Sequence, residues 1–298
     1  MALYVNTNTE AIIAQNNLTN TTNSLNTAMT QLSSGLRINT AADNAAGYAI
    51  SADLTAQVNG LNQSTNNAQD ATSLVQTADG ALNDVQMMLQ RIRELAVQYN
   101  GGTLSSTDQN AIISEVTQLV CQIEQIGTQA QFNGISLFTT SGYATSAIQT
   151  QGGINYTLLT FQVGANDGET ISVSLVQLPR GAGLLNDIEK LTAGSGGFTL
   201  GNVGTTGLGA LSLISSMIDQ VSSLAADFGA IQNRLTYTLN NLSTYSENLT
   251  AAQSTITNVD MAAAMTQFTK DQILQQAGIS MLSQAEQNPQ AILKLLGA

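Results

Sequence analysis

The sequence predicts a mainly α-helical protein, an antiparallel bundle or coiled coil of long helices with a small β-hairpin region. Apolar residues recur at alternating steps of three and four along both halves of the chain, as on one face of a coiled helix. The only prolines are Pro179 and Pro289, so long stretches lack the residue that most strongly breaks helices. Fifteen of the 25 glycines lie between Gly134 and Gly209, which confines the turn-rich part to the middle.

The longest apolar repeat lies in the C-terminal third. It alternates without a slip through Ile214, Met217, Val221, Leu224, Phe228, Ile231, Leu235, Thr238, Leu242, Tyr245, Leu249, Ala252, Ile256 and Val259. A helix that keeps an apolar repeat of about 3.5 residues must supercoil around a partner to keep that face covered. The repeat fails at Lys270, after a methionine-rich stretch that begins at Met261, so we expect a joint between two helices near Asn258.

The N-terminal half carries matching repeats. One predicted helix carries the repeat Ala71, Leu74, Ala78, Ala81, Val85, Met88, Ile92, Leu95 and Tyr99. Asn100, Gly101 and Gly102 then break the helix. A second predicted helix carries Ile112, Val116, Leu119, Ile123, Ile126 and Ala130. Nearer the start, Leu18, Leu25 and Leu32 repeat at seven before Gly35. A bundle core explains the central repeats. The terminal segments are poor in large apolar residues, so we expect them to become ordered only when they pack among other copies.

The middle of the chain predicts short strands. The stretch ISVSLVQL from Ile171 is rich in β-branched residues and is flanked by glycines, a pattern that is typical of strands and turns. We expect a β and loop insertion at about residues 134–210 between the helical halves.

The charge balance excludes several classes of partner. With 8 Lys and Arg against 20 Asp and Glu, the net charge of -12 opposes binding to nucleic acid or to an anionic membrane surface. No apolar run reaches the length of a membrane span. The N-terminal MALYVNTNTE lacks the basic and apolar regions of a cleaved signal, so we expect any secretion to use another route.

The composition excludes two classes of catalytic site. The sequence has no His and a single Cys, which excludes Ser-His and Cys-His nucleophilic pairs and His-based or Cys-cluster metal sites. Only 9% of the residues are charged, and Asn, Gln, Ser and Thr fill most polar positions. Hydrogen-bonded neutral side chains cost less to bury than charges. We therefore expect a self-assembling structural protein with no enzymatic activity and no cofactor.

Long motifs at both ends resemble the bacterial flagellins. They are VNTN from Val5, LSSGLRINTAADNAAGYAIS at 32–51, LVQTADGAL from Leu74, LQRIRELAVQ at 89–98, QFNGISLF from Gln131, GAIQNRL at 229–235, QILQQAGISMLSQA at 272–285, and NPQAILKLL near the end. They occur in the family's order and together cover about residues 1–140 and 210–298.

This resemblance implies a subunit that polymerises into the extracellular flagellar filament for motility. It further implies that residues 1–43 and 258–298 form a terminal coiled-coil domain in the filament core, surrounded by a rod of residues 44–257. The implied partners are copies of the chain, an export chaperone of the flagellar type III apparatus, a cap protein and hook-associated junction proteins. The alternative is a hook-filament junction protein, but LQRIRELAVQ and QFNGISLF favour flagellin. A metallopeptidase-bearing flagellin would need HExxH, which a chain without His cannot supply.

The resemblance also places candidate recognition residues. Arg91, Leu95 and Glu115 match the positions through which many flagellins are recognised by a Toll-like innate receptor. Subunit packing is the alternative role, because Leu95 falls on the apolar repeat.

Further candidates lie near the helix joints. Arg37, Asp43 and Asn44 follow the first helical segment, and Arg234 lies in the long C-terminal helix. They are candidates for fixing the joint or the subunit register, and a solvated surface charge is the alternative. Cys121 is predicted to face outward. It is open to three interpretations: an introduced labelling site, a disulfide between chains, or a harmless substitution.

Overall fold

The computed structural model describes residues 8–138, 148–151, 154–176 and 208–296. The helices are α1 (Thr9–Ser34), α2 (Ala45–Tyr99), α3 (Ser106–Gln129), α4 (Leu208–Thr257) and α5 (Met261–Leu296). The strands are β1 (Gln131–Phe132), β2 (Ile135–Ser136), β3 (Ile148–Gln151), β4 (Ile154–Gln162) and β5 (Thr170–Val176). The mainly α-helical prediction is confirmed. No helix in these ranges is long and apolar enough to cross a membrane.

The helices end where the sequence predicts. α1 ends before Gly35, which adopts a left-handed conformation (φ 72°) and donates its backbone N–H to the carbonyl of Gln31. α2 ends before Asn100, and Ser105 then caps α3 in a reciprocal pair with Asp108. The joint predicted near Asn258 separates α4 from α5.

The strands form two small antiparallel sheets. β1 and β2 meet at a tight turn in which Asn133 and Gly134 both have positive φ, as the hairpin geometry requires. β4 pairs with β3 on one side and with β5 on the other. Ile171, Val173 and Leu175 alternate along β5 on the buried face. The rest of the predicted insertion, including its Gly-rich stretch from Gly181, lies largely outside the described residues.

The chain divides into two compact units. The terminal unit comprises residues up to Val58 and from Glu247 onward, and the central unit comprises Asn59–Ser246. The hydrophobic core of the central unit joins α2, α3, α4 and the sheet of β4 and β5. Its fully buried side chains include Leu74, Val75, Leu82, Leu89, Val116, Ile123, Val173, Ile214, Val221, Phe228 and Leu235.

The predicted apolar repeat of α4 is wrong at two positions near its C-terminal end. Its members are buried or half-buried from Ile214 to Leu242, but Tyr245 and Ala252 are exposed. The covered positions there lie one residue further on, at Ser246 and Gln253. The later members Leu249, Ile256 and Val259 are half-buried, so the repeat stays partly covered to its end.

Candidate assembly surface of the terminal helix pair

α1 and α5 pack against each other along a narrow line of small and polar side chains. The line has alternating steps of three and four on each helix: Ala11, Ala14, Leu18, Thr21, Leu25, Ala28 and Leu32 on α1, and Ala264, Phe268, Asp271, Gln275, Gly278, Leu282 and Ala285 on α5. We call this line the terminal seam. Only Leu25, Ala28, Ala264, Asp271 and Ala285 on it are fully buried. The larger side chains Leu18, Leu32, Phe268 and Leu282 are half-buried.

Three specific contacts fix the antiparallel register of the pair. At one end the Asn8 side-chain amide donates a hydrogen bond of 2.8 Å to the carbonyl of Ala285. In the middle Leu18 lies over Gly278, where an added Cβ would come within 3.3 Å of the Leu18 Cδ1. At the other end Leu36 and Asn258 form an isolated β-bridge.

The outer faces of the same two helices expose large apolar side chains. Nine of them are 46% to 64% exposed: Ile12, Ile13, Met29, Met261, Met265, Ile273, Leu274, Ile279 and Met281. Ile13, Leu274 and Met281 line an open groove of about 810 Å³ between α1 and α5. We call these nine side chains the assembly surface. Nine exposed large apolar side chains on one helix pair make it a candidate for a surface that another molecule covers.

Arg37 ties the two chain segments together at the helix joint. Its backbone N–H donates to the carbonyl of Thr257 at 2.6 Å, and its guanidinium donates to the carbonyl of Ile256 at 2.7 Å. The N–H of Val259 donates to the carbonyl of Gly35. The last carbonyls of α4 thus receive donors and a positive charge, which the helix dipole favours at this end.

The segment after Arg37 is ordered by local caps. The Asn44 side chain accepts a hydrogen bond of 2.9 Å from the backbone N–H of Gly47 and so caps α2. Gly47 also leaves room for the buried Ile38, whose Cδ1 would lie 2.6 Å from an added Cβ. The same Asp43 carboxylate oxygen accepts hydrogen bonds from the N–H groups of Asn39 and Thr40 and from the Thr40 hydroxyl.

These bonds make the joint sensitive to acid. The backbone N–H of Thr40, that of Asn39 and the Thr40 hydroxyl lower the pKa of the Asp43 carboxyl below its usual 3.8. A lowered folded-state pKa contributes stability that is present above the unfolded-state pKa and is lost as pH falls through the folded value. We expect Asp43→Asn to reduce the free energy of unfolding above about pH 4, with the difference from the parent chain shrinking below that pH. Urea unfolding at several pH values measures this, and a difference that stays constant with pH would contradict it.

Arg91 and Glu115 form an ion pair on the surface of the central unit. The Arg91 guanidinium donates to one Glu115 carboxylate oxygen at 2.9 Å and 3.0 Å, and to Glu94 at 3.2 Å. These hydrogen bonds, with the one to Glu115 largest, raise the pKa of Arg91. Leu95 is only 2% exposed, as its place on the apolar repeat predicts. Arg234 is exposed on α4 and is far in sequence from the other joint candidates, Arg37, Asp43 and Asn44.

Comparison with known families assigns the chain. The family profile described as the bacterial flagellin N-terminal helical region matches residues 5–143, and that of the C-terminal helical region matches residues 211–296. The chain belongs to the bacterial flagellin family. The two matches include α1 to α3, most of α4 and all of α5, so they carry both the terminal pair and the helices of the central unit.

Whole-length relatives agree with this assignment. Flagellin of Bacillus subtilis (strain 168) is 40% identical, and flagellin of Halalkalibacterium halodurans is 41% identical, each aligned over 99% of this chain and 100% of the relative. A solved structure from Vibrio parahaemolyticus, described as a flagellar hook-associated protein, shares the fold alone. It has 16% identity and a TM-score of 0.56, and it covers 72% of this chain and 99% of its own.

Membership of the family settles the main functional prediction. This flagellin is a structural protein whose copies polymerise into the extracellular filament of the bacterial flagellum. The alternative role at the hook-filament junction is not favoured, because the curated relatives that match along the whole chain are filament proteins.

Asp271 is a seam residue that the sequence reading missed. The residue is 4% exposed, and its carboxylate accepts a hydrogen bond of 2.9 Å from the Gln267 side-chain amide. Its steps of three from Phe268 and of four to Gln275 fit the seam, but an apolar repeat does not reveal a charged member. Exposed Cys121 lies on α3, as predicted.

Proposed function

We propose that the terminal helices build the inner part of the filament and that the assembly surface is where the copies meet. In this division residues 1–43 and 258–298 form the filament core, and residues 44–257 surround it as a rod. The observation that carries the proposal is the contrast within the terminal pair. Its seam buries one large apolar side chain, Leu25, and half-buries four more, whereas nine large apolar side chains stay outside. A helix pair of this composition gains most of its burial from neighbouring copies.

Substituting the assembly surface tests this proposal. Ile13 and Ile273 are 60% and 61% exposed on α1 and α5, so replacing them by Ser removes little from the isolated chain. Burying one such side chain between copies contributes about 1.5–3 kcal/mol. We expect Ile273→Ser to raise the critical concentration for seeded polymerisation by roughly tenfold to a hundredfold, and Ile13→Ser to act similarly.

Gln276→Ser provides the matched control, since Gln276 is an exposed polar residue on the same helix. The control variant should polymerise as the parent chain does. Sedimentation of seeded reactions across a concentration series gives the critical concentration. Unchanged assembly of both Ile variants would reject the proposed core surface.

We further propose that the assembly surface is covered before export and at the ends of the filament. An export chaperone of the type III apparatus would cover the apolar face of α5, including Leu274 and Met281, and so prevent premature polymerisation in the cytoplasm. The cap protein and the hook-associated junction proteins would meet the same helices at the two ends of the filament. We also propose that the chain catalyses no reaction, since a sequence without His offers no Ser-His or Cys-His pair.

Recognition by a Toll-like innate receptor is a second proposed role. Arg91 and Glu115 support it because both are exposed and hold each other in a fixed geometry. Leu95 is buried and would act by shaping the helix surface beneath them. The alternative is that the pair serves packing between subunits.

Arg91→Ala separates the two roles. An exposed ion pair contributes about 0–1 kcal/mol, so the variant should fold normally. We expect a marked loss of receptor activation with unchanged polymerisation, measured with a receptor reporter cell and by seeding. Arg93→Ala is the control, because Arg93 is exposed on another face of the same helix. Lost polymerisation with retained signalling would favour packing.

A further inference from the structure

Four of the nine side chains on the assembly surface are methionines. Met29, Met261, Met265 and Met281 are 48%, 49%, 51% and 64% exposed, and they account for half of the 8 methionines in the chain. In the central unit Met217 is 1% exposed and Met87 is 61% exposed. The terminal helices therefore hold much of their outward apolar surface in thioethers that solvent reaches.

Exposed thioethers react with peroxides. The sulfur lone pair attacks one peroxide oxygen, an S–O bond forms, and the O–O bond breaks. With hydrogen peroxide the products are methionine sulfoxide and water, so the sulfur is oxidised by two electrons and the peroxide is reduced by two. The product is polar and chiral, and it disrupts methionine-rich interfaces.

We propose that Met29, Met261, Met265 and Met281 are peroxide-modification sites, and that their oxidation keeps the unassembled subunit from polymerising. This inference rests on the proposed function of the assembly surface as the contact between copies. Oxidation then acts on the free subunit, and incorporation into a filament protects the same four sulfurs.

Because of where the four sulfurs lie, their oxidation should block polymerisation without unfolding the chain. None of them lies on the terminal seam, and Met261 and Met265 follow the Asp260 cap on the outside of α5. Their sulfoxides stay hydrated in the isolated chain, so its helix content should not change. Assembly would have to bury them, and each buried sulfoxide should raise the critical concentration by about tenfold.

A partition experiment tests the inference without any substitution. The full chain is partly oxidised with hydrogen peroxide, the peroxide is removed with catalase, and the mixture is seeded and sedimented. Peptide mass spectrometry then gives the sulfoxide fraction at each methionine in the polymer and in the supernatant.

We expect the sulfoxide to be depleted from the polymer at all four methionines. Met87, 61% exposed on the central unit, is the internal control and should be distributed evenly. Equal distribution at the four sites would overturn the inference, and equal depletion of Met87 would overturn its restriction to these helices.

A substituted chain gives the second measurement. The M29L/M261L/M265L/M281L variant keeps the apolar surface but not the sulfurs, and it should polymerise after peroxide treatment that stops the parent chain. If the untreated variant assembles and the peroxide-treated variant does not, the inference is overturned. If the untreated variant already fails to assemble, the partition experiment decides.

The proposed function fails in a different way. In that case the four methionines of preformed filaments would be oxidised as fast as those of the monomer, and Ile273→Ser would polymerise normally.

Discussion

A flagellin chain that lacks residues 258–298 is expected to remain a monomer under seeding conditions in which the full chain assembles completely. The truncation removes α5 and with it one side of the terminal seam and six of the nine side chains of the assembly surface. α1 then has no helix to pair with, and a helix in a protein takes most of its stability from packing against other elements. Among the described residues, the buried core of α2, α3, α4 and the sheet ends at Leu235 with Leu239 packed against it, so it should survive.

Sedimentation and electron microscopy of seeded reactions measure the loss of assembly, and circular dichroism measures the helix that remains. A complementary chain without residues 1–43 is the matched truncation, because it removes the other side of the seam. We expect the same failure to polymerise from both. Filaments that grow from either truncation would refute the proposed division between a terminal core and a central rod.

Phe228→Ala is expected to cause the largest loss of stability of any single substitution proposed. Phe228 is fully buried on α4 within the core of the central unit. Truncating a buried Phe costs roughly 3–5 kcal/mol, because transfer free energy is lost and a cavity remains. In a unit of this size the unfolding temperature should fall by roughly 10 °C.

Tyr237→Ala is the control for this substitution. Tyr237 lies on the same helix and is 75% exposed, so removing its ring should change the free energy of unfolding by less than about 0.5 kcal/mol. Urea unfolding followed by circular dichroism compares the two variants. A loss below about 1 kcal/mol for Phe228→Ala would contradict the assignment of this residue to a closely packed core.

The sequence predicted the helices and their breaks because local chemistry sets both. Steps of three and four placed Leu74, Val85 and Ile92 on the buried side of α2. Gly35 and the Asn100 to Gly102 segment end helices through backbone conformation, which depends little on tertiary contacts. A second buried line on α2, through Val75 and Leu82, was missed, since a helix with several neighbours is covered over a wider arc than one repeat describes.

The terminal seam and the joint were harder to predict. The seam of α5 carries Asp271, Gln275 and Gly278 where an apolar repeat would be sought, so periodicity alone does not reveal it. Arg37 was a candidate by position only. Its hydrogen bonds to the end of α4 form only when two segments meet that are 218 and 219 residues apart in the sequence. Hydropathy contains no signal for such a pairing.

The hydrogen bond between Asn8 and Ala285 joins residues 277 positions apart, and this separation has a consequence for the order of events. Closing so long a loop is entropically costly and slow, and α1 finds its partner only after almost the entire polypeptide is available. During synthesis α1 is therefore made long before the helix that pairs with it. The two ends of each new molecule can join only once almost all of α5 has been made.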